Sequence, residues 1–139
     1  MSAKLSSPRE LKKVGHPRSL VIADNQGIRE ALTYMLKANS FEVVGVETVQ
    51  RAMATIKDES FDLILVDLIN DTLREGLAAG RRIRRRAGRH DVPIIVITFN
   101  DMRGASADDL NIGKNEYVVP EIDLELLAPL LRSIFPHAA

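Results

Sequence analysis

Residues 20–36, LVIADNQGIREALTYML, hold a complete strand, turn and helix. Leu20 to Ala23 are apolar without alternation, as a strand buried on both faces of a parallel sheet requires. The run ends in Asp24-Asn25, after which Ile28, Ala31, Leu32, Met35 and Leu36 fall on one helical face. The same unit recurs along the chain. Further apolar runs are FEVVGV (41–46), DLILVD (62–67), PIIVIT (93–98) and EYVV (116–119). Helical stripes lie between and after them: Val49, Ala52, Met53 and Ile56; Leu73, Leu77, Gly80 and Ile83; Leu127, Leu130, Leu131 and Ile134. Strands alternating with helices imply right-handed crossovers and an α/β fold with a doubly wound five-stranded parallel sheet.

Two stretches depart from the pattern. Residues 101–112 mix Gly104, Ser106, Asp108, Asp109 and Asn111, all poor in helix interiors, which predicts a short or frayed fourth helix. Pro129 lies inside the last stripe, where a lost hydrogen bond costs about 3 kcal/mol, so that helix should kink or start late.

A chain of 139 residues suits one domain. Residues 1–17 are basic and aperiodic and read as a flexible tail, leaving 18–139 as the folded unit. Nineteen Lys and Arg balance nineteen Asp and Glu, so no global field attracts nucleic acid or membrane. The chain has no cysteine, which removes disulfides, zinc-thiolate sites and thiol nucleophiles. Its apolar runs are too short for a spanning helix, and no signal peptide opens it; the expected location is cytoplasmic.

Functional groups of an open parallel sheet gather beyond the carboxyl ends of its strands. Here those positions carry Asp24-Asn25, Asp67, Thr98 and the run Tyr117-Val118-Val119-Pro120-Glu121. Two carboxylates and a hydroxyl should therefore converge on one pocket.

In these stretches the chain resembles a response-regulator receiver domain of two-component signalling, over about residues 18–136. LVIADNQGIREALTYML is similar to the family's first strand, acidic pair and first helix, LILVDL to its phosphoacceptor strand, and IIVIT to its switch-threonine strand. The resemblance implies a flavodoxin-like (βα)5 sheet of strand order 2-1-3-4-5. It implies that Asp67 accepts a phosphoryl group, that Thr98 binds a phosphoryl oxygen, and that Tyr117 is the switching aromatic. Mg²⁺ would be held by Asp24, Asn25, Asp67 and the backbone carbonyl of Ile69. Such a cation suits the chemistry, because it neutralises charge on the transferring group and prefers hard oxygen ligands.

The chain also departs from the family. Asn25 replaces the second acid of the pair, so two formal charges should line the pocket where three are usual, with weaker Mg²⁺ binding and less repulsion. Aligned from Tyr117 and Ile122-Asp123, Pro120 stands in the place of the family's lysine and Glu121 in that of the following proline. An ammonium at ~4 Å from a phosphoryl oxygen contributes about 4 kcal/mol at most at an effective dielectric near 20. Swinging a two-state element from 1:99 to 99:1 takes about 5.5 kcal/mol, so the loss should cripple the usual switch. Phe99 follows Thr98 where a small residue is usual and should cover the site. The expected protein is a stand-alone, atypical receiver that binds other signalling proteins and switches weakly if at all.

Plainer roles are open to the same residues. Asp67 could cap a helix, and Tyr117 could be a half-buried sheet residue. The run RRIRRRAGRH (81–90) reads first as a solvated face with arginines suited to a helix C-terminus. Two other functions follow from these features. One is a working phosphoacceptor that relays signal through Asp67; the other is a binder of nucleic acid or an acidic partner through Arg81 to Arg89. Nucleic acid ranks last, because no aromatic interleaves the arginines and the chain is neutral. The expected partners are a histidine kinase, a phosphotransfer protein, a downstream effector or a second copy in a homodimer, with no membrane. No dinucleotide, Walker, nucleophile-elbow or zincin motif is present, so the chain is not expected to be an enzyme.

Overall fold

The computed structural model describes residues 15–69, 71–98 and 111–136. Strands β1 (Arg18–Ala23), β2 (Glu42–Val46), β3 (Leu63–Asp67), β4 (Ile94–Thr98) and β5 (Glu116–Pro120) form one sheet of order β2-β1-β3-β4-β5. Every pairing is parallel. Helices α1 (Gln26–Ala38), α2 (Val49–Thr55), α3 (Leu73–Ala87) and α4 (Leu127–Ile134) connect and cover the strands. The order β2-β1-β3 makes the chain reverse direction beside β1, which sets the functional rim at the carboxyl ends of β1 and β3.

Strands β1, β3 and β4 are buried on both sides because successive side chains enter different cores, whereas the edge strands β2 and β5 are only partly buried. Leu20, Ile22, Ile64, Val66, Ile94 and Val96 pack with Ala52, Leu73, Leu77 and Ile83 of α2 and α3. Val21, Ala23, Leu63, Leu65, Ile95, Ile97 and Val119 pack with Leu32 and Leu36 of α1 and Leu127 and Leu131 of α4. Two glycines let α3 sit close to β4. A Cβ on Gly76 would lie 2.8 Å from Val96 Cγ1, and one on Gly80 would lie 2.7 Å from Ile94 Cγ2.

The last helix starts late, as Pro129 predicts. A 3-10 segment, Glu121–Leu126, precedes α4, and Pro129 falls in the first turn, where its missing N–H has no carbonyl to lose. The expectations for the tail up to residue 14, for Phe99 and for residues 101–110 fall outside the described residues.

The arginine run is not simply a solvated face. Arg81 and Arg84 turn inward from α3 onto Glu116, whose carboxylate is 3% exposed. Arg89 donates to the Phe61 carbonyl at 3.1 Å and lies 3.8 Å from Asp62. Arg82, Arg85 and Arg86 stay exposed. The sequence reading missed Glu116. Its signal was an acid opening a Val-rich strand, opposite two arginines spaced i, i+3 on one helix face.

Candidate functional site

The rim is built by strand register. Ala23 pairs with Asp67, so Asp24 is the first residue beyond β1 beside the end of β3. Val66 pairs with Val96, which sets Thr98 one step beyond the level of Asp67 on the neighbouring strand. Thr98 in turn pairs with Pro120. Asp24, Asp67, Thr98 and the start of the segment after β5 thus meet at one edge, as the strand-end reading expects.

The three side chains sit in different surroundings. Asp24 is exposed, and its Oδ1 accepts the Ile69 N–H at 3.3 Å. Asp67 and Thr98 are buried, at 2% and 5% exposure. Asp67 caps no helix: α3 begins six residues later behind its own capping box, in which Thr72 accepts the Glu75 N–H and Glu75 accepts the Thr72 N–H. Asp67 Oδ1 is buried and accepts no hydrogen bond from a described residue.

The metal role expected for Asn25 meets a competing use. Its Oδ1 accepts the Ile28 N–H at 2.9 Å and caps α1. The orphan N–H groups of the first turn therefore compete with any metal for this amide oxygen.

The number of charges in the pocket also differs from expectation. Glu121, just past Pro120, has a buried Oε2 that accepts no hydrogen bond from a described residue. Burial raises the pKa of Glu121. Burial also pushes the Asp67 carboxyl up to about 7, with the negative charges of Glu121 and then Asp24 adding to it. Both Glu121 and Asp24 therefore act on Asp67, so a third carboxyl, which the sequence reading did not count, bears on the site. Asp71 adds acidity at the periphery, its pKa raised by burial and by Glu75 and Asp24. Pro120 ends β5 and offers no ammonium. Tyr117 is half-buried in β5 against the α1 and α4 core, which suits its plainer role as a sheet residue.

A divalent cation fits this donor set in a limited way. Among the described residues, no group of three or more His, Cys, Asp or Glu is arranged to hold a metal ion. Mg²⁺, however, usually takes one or two carboxylates and completes its octahedron with water. Asp24, the unpartnered Oδ1 of Asp67 and the Ile69 backbone are oxygen donors of that kind.

The chain matches the sequence family "Response regulator receiver domain" over residues 20–132. It belongs to that family. The phosphate regulon transcriptional regulatory protein PhoB of Pseudomonas aeruginosa is 32% identical over 113 residues, which cover 80% of this chain and 48% of PhoB. The response regulator MprA of Mycolicibacterium vanbaalenii is 27% identical over 84% of this chain and 49% of its own length. The chain spans about half the length of these relatives. Among solved structures, the response regulator TrrA of Thermotoga maritima, in complex with Mg²⁺ and BeF, superimposes with a TM-score of 0.64 at 25% identity, covering 86% of this chain and 99% of TrrA. The receiver domain of a Pseudomonas aeruginosa sensor histidine kinase, with magnesium in its active-site cleft, gives 0.63 at 27% identity over 85% and 97% of the two chains. The present chain is thus a receiver domain of two-component signalling. No helix among the described residues is long and apolar enough to cross a membrane.

Proposed function

We propose that this receiver works as an atypical protein-interaction module, not as an enzyme, in which phosphorylation of Asp67 is weak and poorly coupled to conformational change. The observation that carries this reading is the environment of Asp67. It is a buried carboxylate with Glu121 beside it and Pro120, not a lysine, ending β5. An attacking carboxylate must approach a phosphorus that bears anionic oxygens, so the pocket needs net positive help. Glu121 supplies the opposite charge.

Asp24, Asp67 and the Ile69 carbonyl would hold Mg²⁺, which supplies charge neutralisation at the phosphoryl oxygens. Asp67 offers the nucleophilic oxygen and Thr98 a hydroxyl one strand over. The chain would act inside the cell with a histidine kinase, a phosphotransfer protein or an effector. A homodimer is a further form of the same reading.

Intact-mass measurement with acetyl phosphate and Mg²⁺, with Asp67→Asn as control, tests it. We expect sub-stoichiometric modification. A stoichiometric gain that depends on Asp67 would favour the second reading, a working phosphoacceptor, which the shared rim of Asp24, Asp67 and Thr98 supports. The nucleic-acid reading loses ground, because Arg81, Arg84 and Arg89 are already engaged inside the fold.

A further inference from the structure

We infer that Glu121 sets what the Asp67 pocket accepts, favouring a divalent cation and opposing a phosphoryl group. The inference rests on Asp67 being the site of phosphorylation, as proposed above, and assigns the selectivity of that site to one residue.

Position comes first. β4 separates β3 from β5, and strands lie about 4.8 Å apart, so the backbones at Asp67 and Pro120 are roughly 10 Å apart. Asp67 is the last residue of β3 and Glu121 follows Pro120 at the end of β5, and the negative charge of Glu121 bears on Asp67. Each has a buried oxygen without a hydrogen-bond donor among the described residues: Oδ1 of Asp67 and Oε2 of Glu121. Buried polar atoms are ordinarily paired, and two unpaired carboxylate oxygens on residues whose charges act on each other call for a cation or a proton donor. Nothing about them suits an anion.

The charge balance of the reaction then fixes the direction of the effect. When Asp67 attacks acetyl phosphate, a carboxylate oxygen forms a bond to phosphorus, and the bond from phosphorus to the acetyl oxygen breaks. Acetate leaves with that electron pair. One negative charge on Asp67 becomes about two on the aspartyl phosphate. Glu121 repels the product and the incoming dianion more than it repels the starting carboxylate, whereas it attracts Mg²⁺. One residue should therefore push two measurable quantities in opposite directions.

The test uses the full chain, Glu121→Gln and Glu121→Ala, at about pH 8 so that Asp67 is mainly ionised in each. Calorimetric titration with MgCl₂ gives the cation affinity, and intact mass against time with acetyl phosphate gives the rate of Asp67-dependent modification. Circular dichroism checks that the variants are folded. For Glu121→Gln we expect Mg²⁺ affinity to fall and the modification rate at saturating Mg²⁺ to rise, each about tenfold, as loss of one nearby charge at intermediate dielectric implies. Glu121→Ala should behave alike, since the charge and not the shape is at issue. Both quantities unchanged, or both moving the same way, would overturn the inference. This outcome is separate from the fate of the functional reading, which falls if the unmodified chain alone reaches stoichiometric phosphorylation, whatever the ratio between variants.

Discussion

Arg81 and Glu116 form a two-bond fork: Nε donates to Oε2 at 2.9 Å and Nη2 to Oε1 at 2.5 Å, tying the middle of α3 to the first residue of β5. Arg84 adds a third bond at 2.8 Å, and the Gly113 N–H a fourth at 2.7 Å. These donors satisfy a carboxylate that is almost fully buried. We expect Glu116→Gln to destabilise the fold by about 2–3 kcal/mol, since one neutral amide cannot serve two guanidinium groups. Chemical denaturation would measure it. A loss below about 0.5 kcal/mol would mean that the fork contributes little.

The same cluster sets the acid limb of stability. The Arg81 hydrogen bond, helped by Gly113 and Arg84 and opposed by burial, holds the Glu116 carboxyl at about 2, below its ordinary 4.5. A depressed carboxylate adds stability above its unfolded value, and that stability is lost as pH falls from about 4.5 towards 2. Glu116→Gln should therefore flatten the melting temperature against pH in that window.

Asp67 has the opposite sign. Its carboxyl titrates at about 7 in the fold against 3.8 ordinarily, so the folded chain holds the proton more tightly than the unfolded one. Ionising Asp67 then costs stability, with the cost appearing as pH rises above about 4 and complete above about 7. Asp67→Asn should stabilise the protein at pH 8, by up to about 4 kcal/mol as an upper bound, and have little effect near pH 4. Added Mg²⁺ should raise the melting temperature of the unmodified chain at pH 8 but not that of Asp67→Asn.

Gly80→Ala weighs helix propensity against space. Alanine in a helix interior gains up to about 1 kcal/mol over glycine. Against that, its Cβ would lie 2.7 Å from a methyl of Ile94 in the centre of the sheet, and overpacking there costs about 1–3 kcal/mol. We expect net destabilisation of about 1 kcal/mol by urea unfolding. The neighbouring exposed pair gives the contrast, as Arg82→Gln and Arg85→Gln should each change stability by less than about 0.5 kcal/mol.

The sequence makes the scaffold readable because strands buried on both faces leave unbroken Val, Ile and Leu runs, and helices between them keep a regular stripe. Asp24, Asp67 and Thr98 are legible for a related reason, since each is the first polar residue after such a run or its last member. What was hidden depends on side-chain direction. Asn25 has one carbonyl oxygen that serves equally as a helix cap or as a ligand, and spacing cannot choose between them. Glu121 reads in the sequence as a replaced proline, yet the fold makes it a third carboxyl whose charge acts on Asp67. Arg81 and Arg84 look like part of a solvated run because their partner, Glu116, lies more than thirty residues away.

The proposed decoupling of Asp67 from the rest of the fold can be tested residue by residue. Amide NMR spectra recorded before and after addition of Mg²⁺ and beryllofluoride, a phosphoryl mimic, report which part of the chain responds. We expect shifts confined to the neighbourhood of Asp24, Asp67 and Thr98, with Tyr117 and its β5 neighbours unmoved. Large changes extending through β5 into α4, absent in Asp67→Asn, would show a working switch and contradict the account.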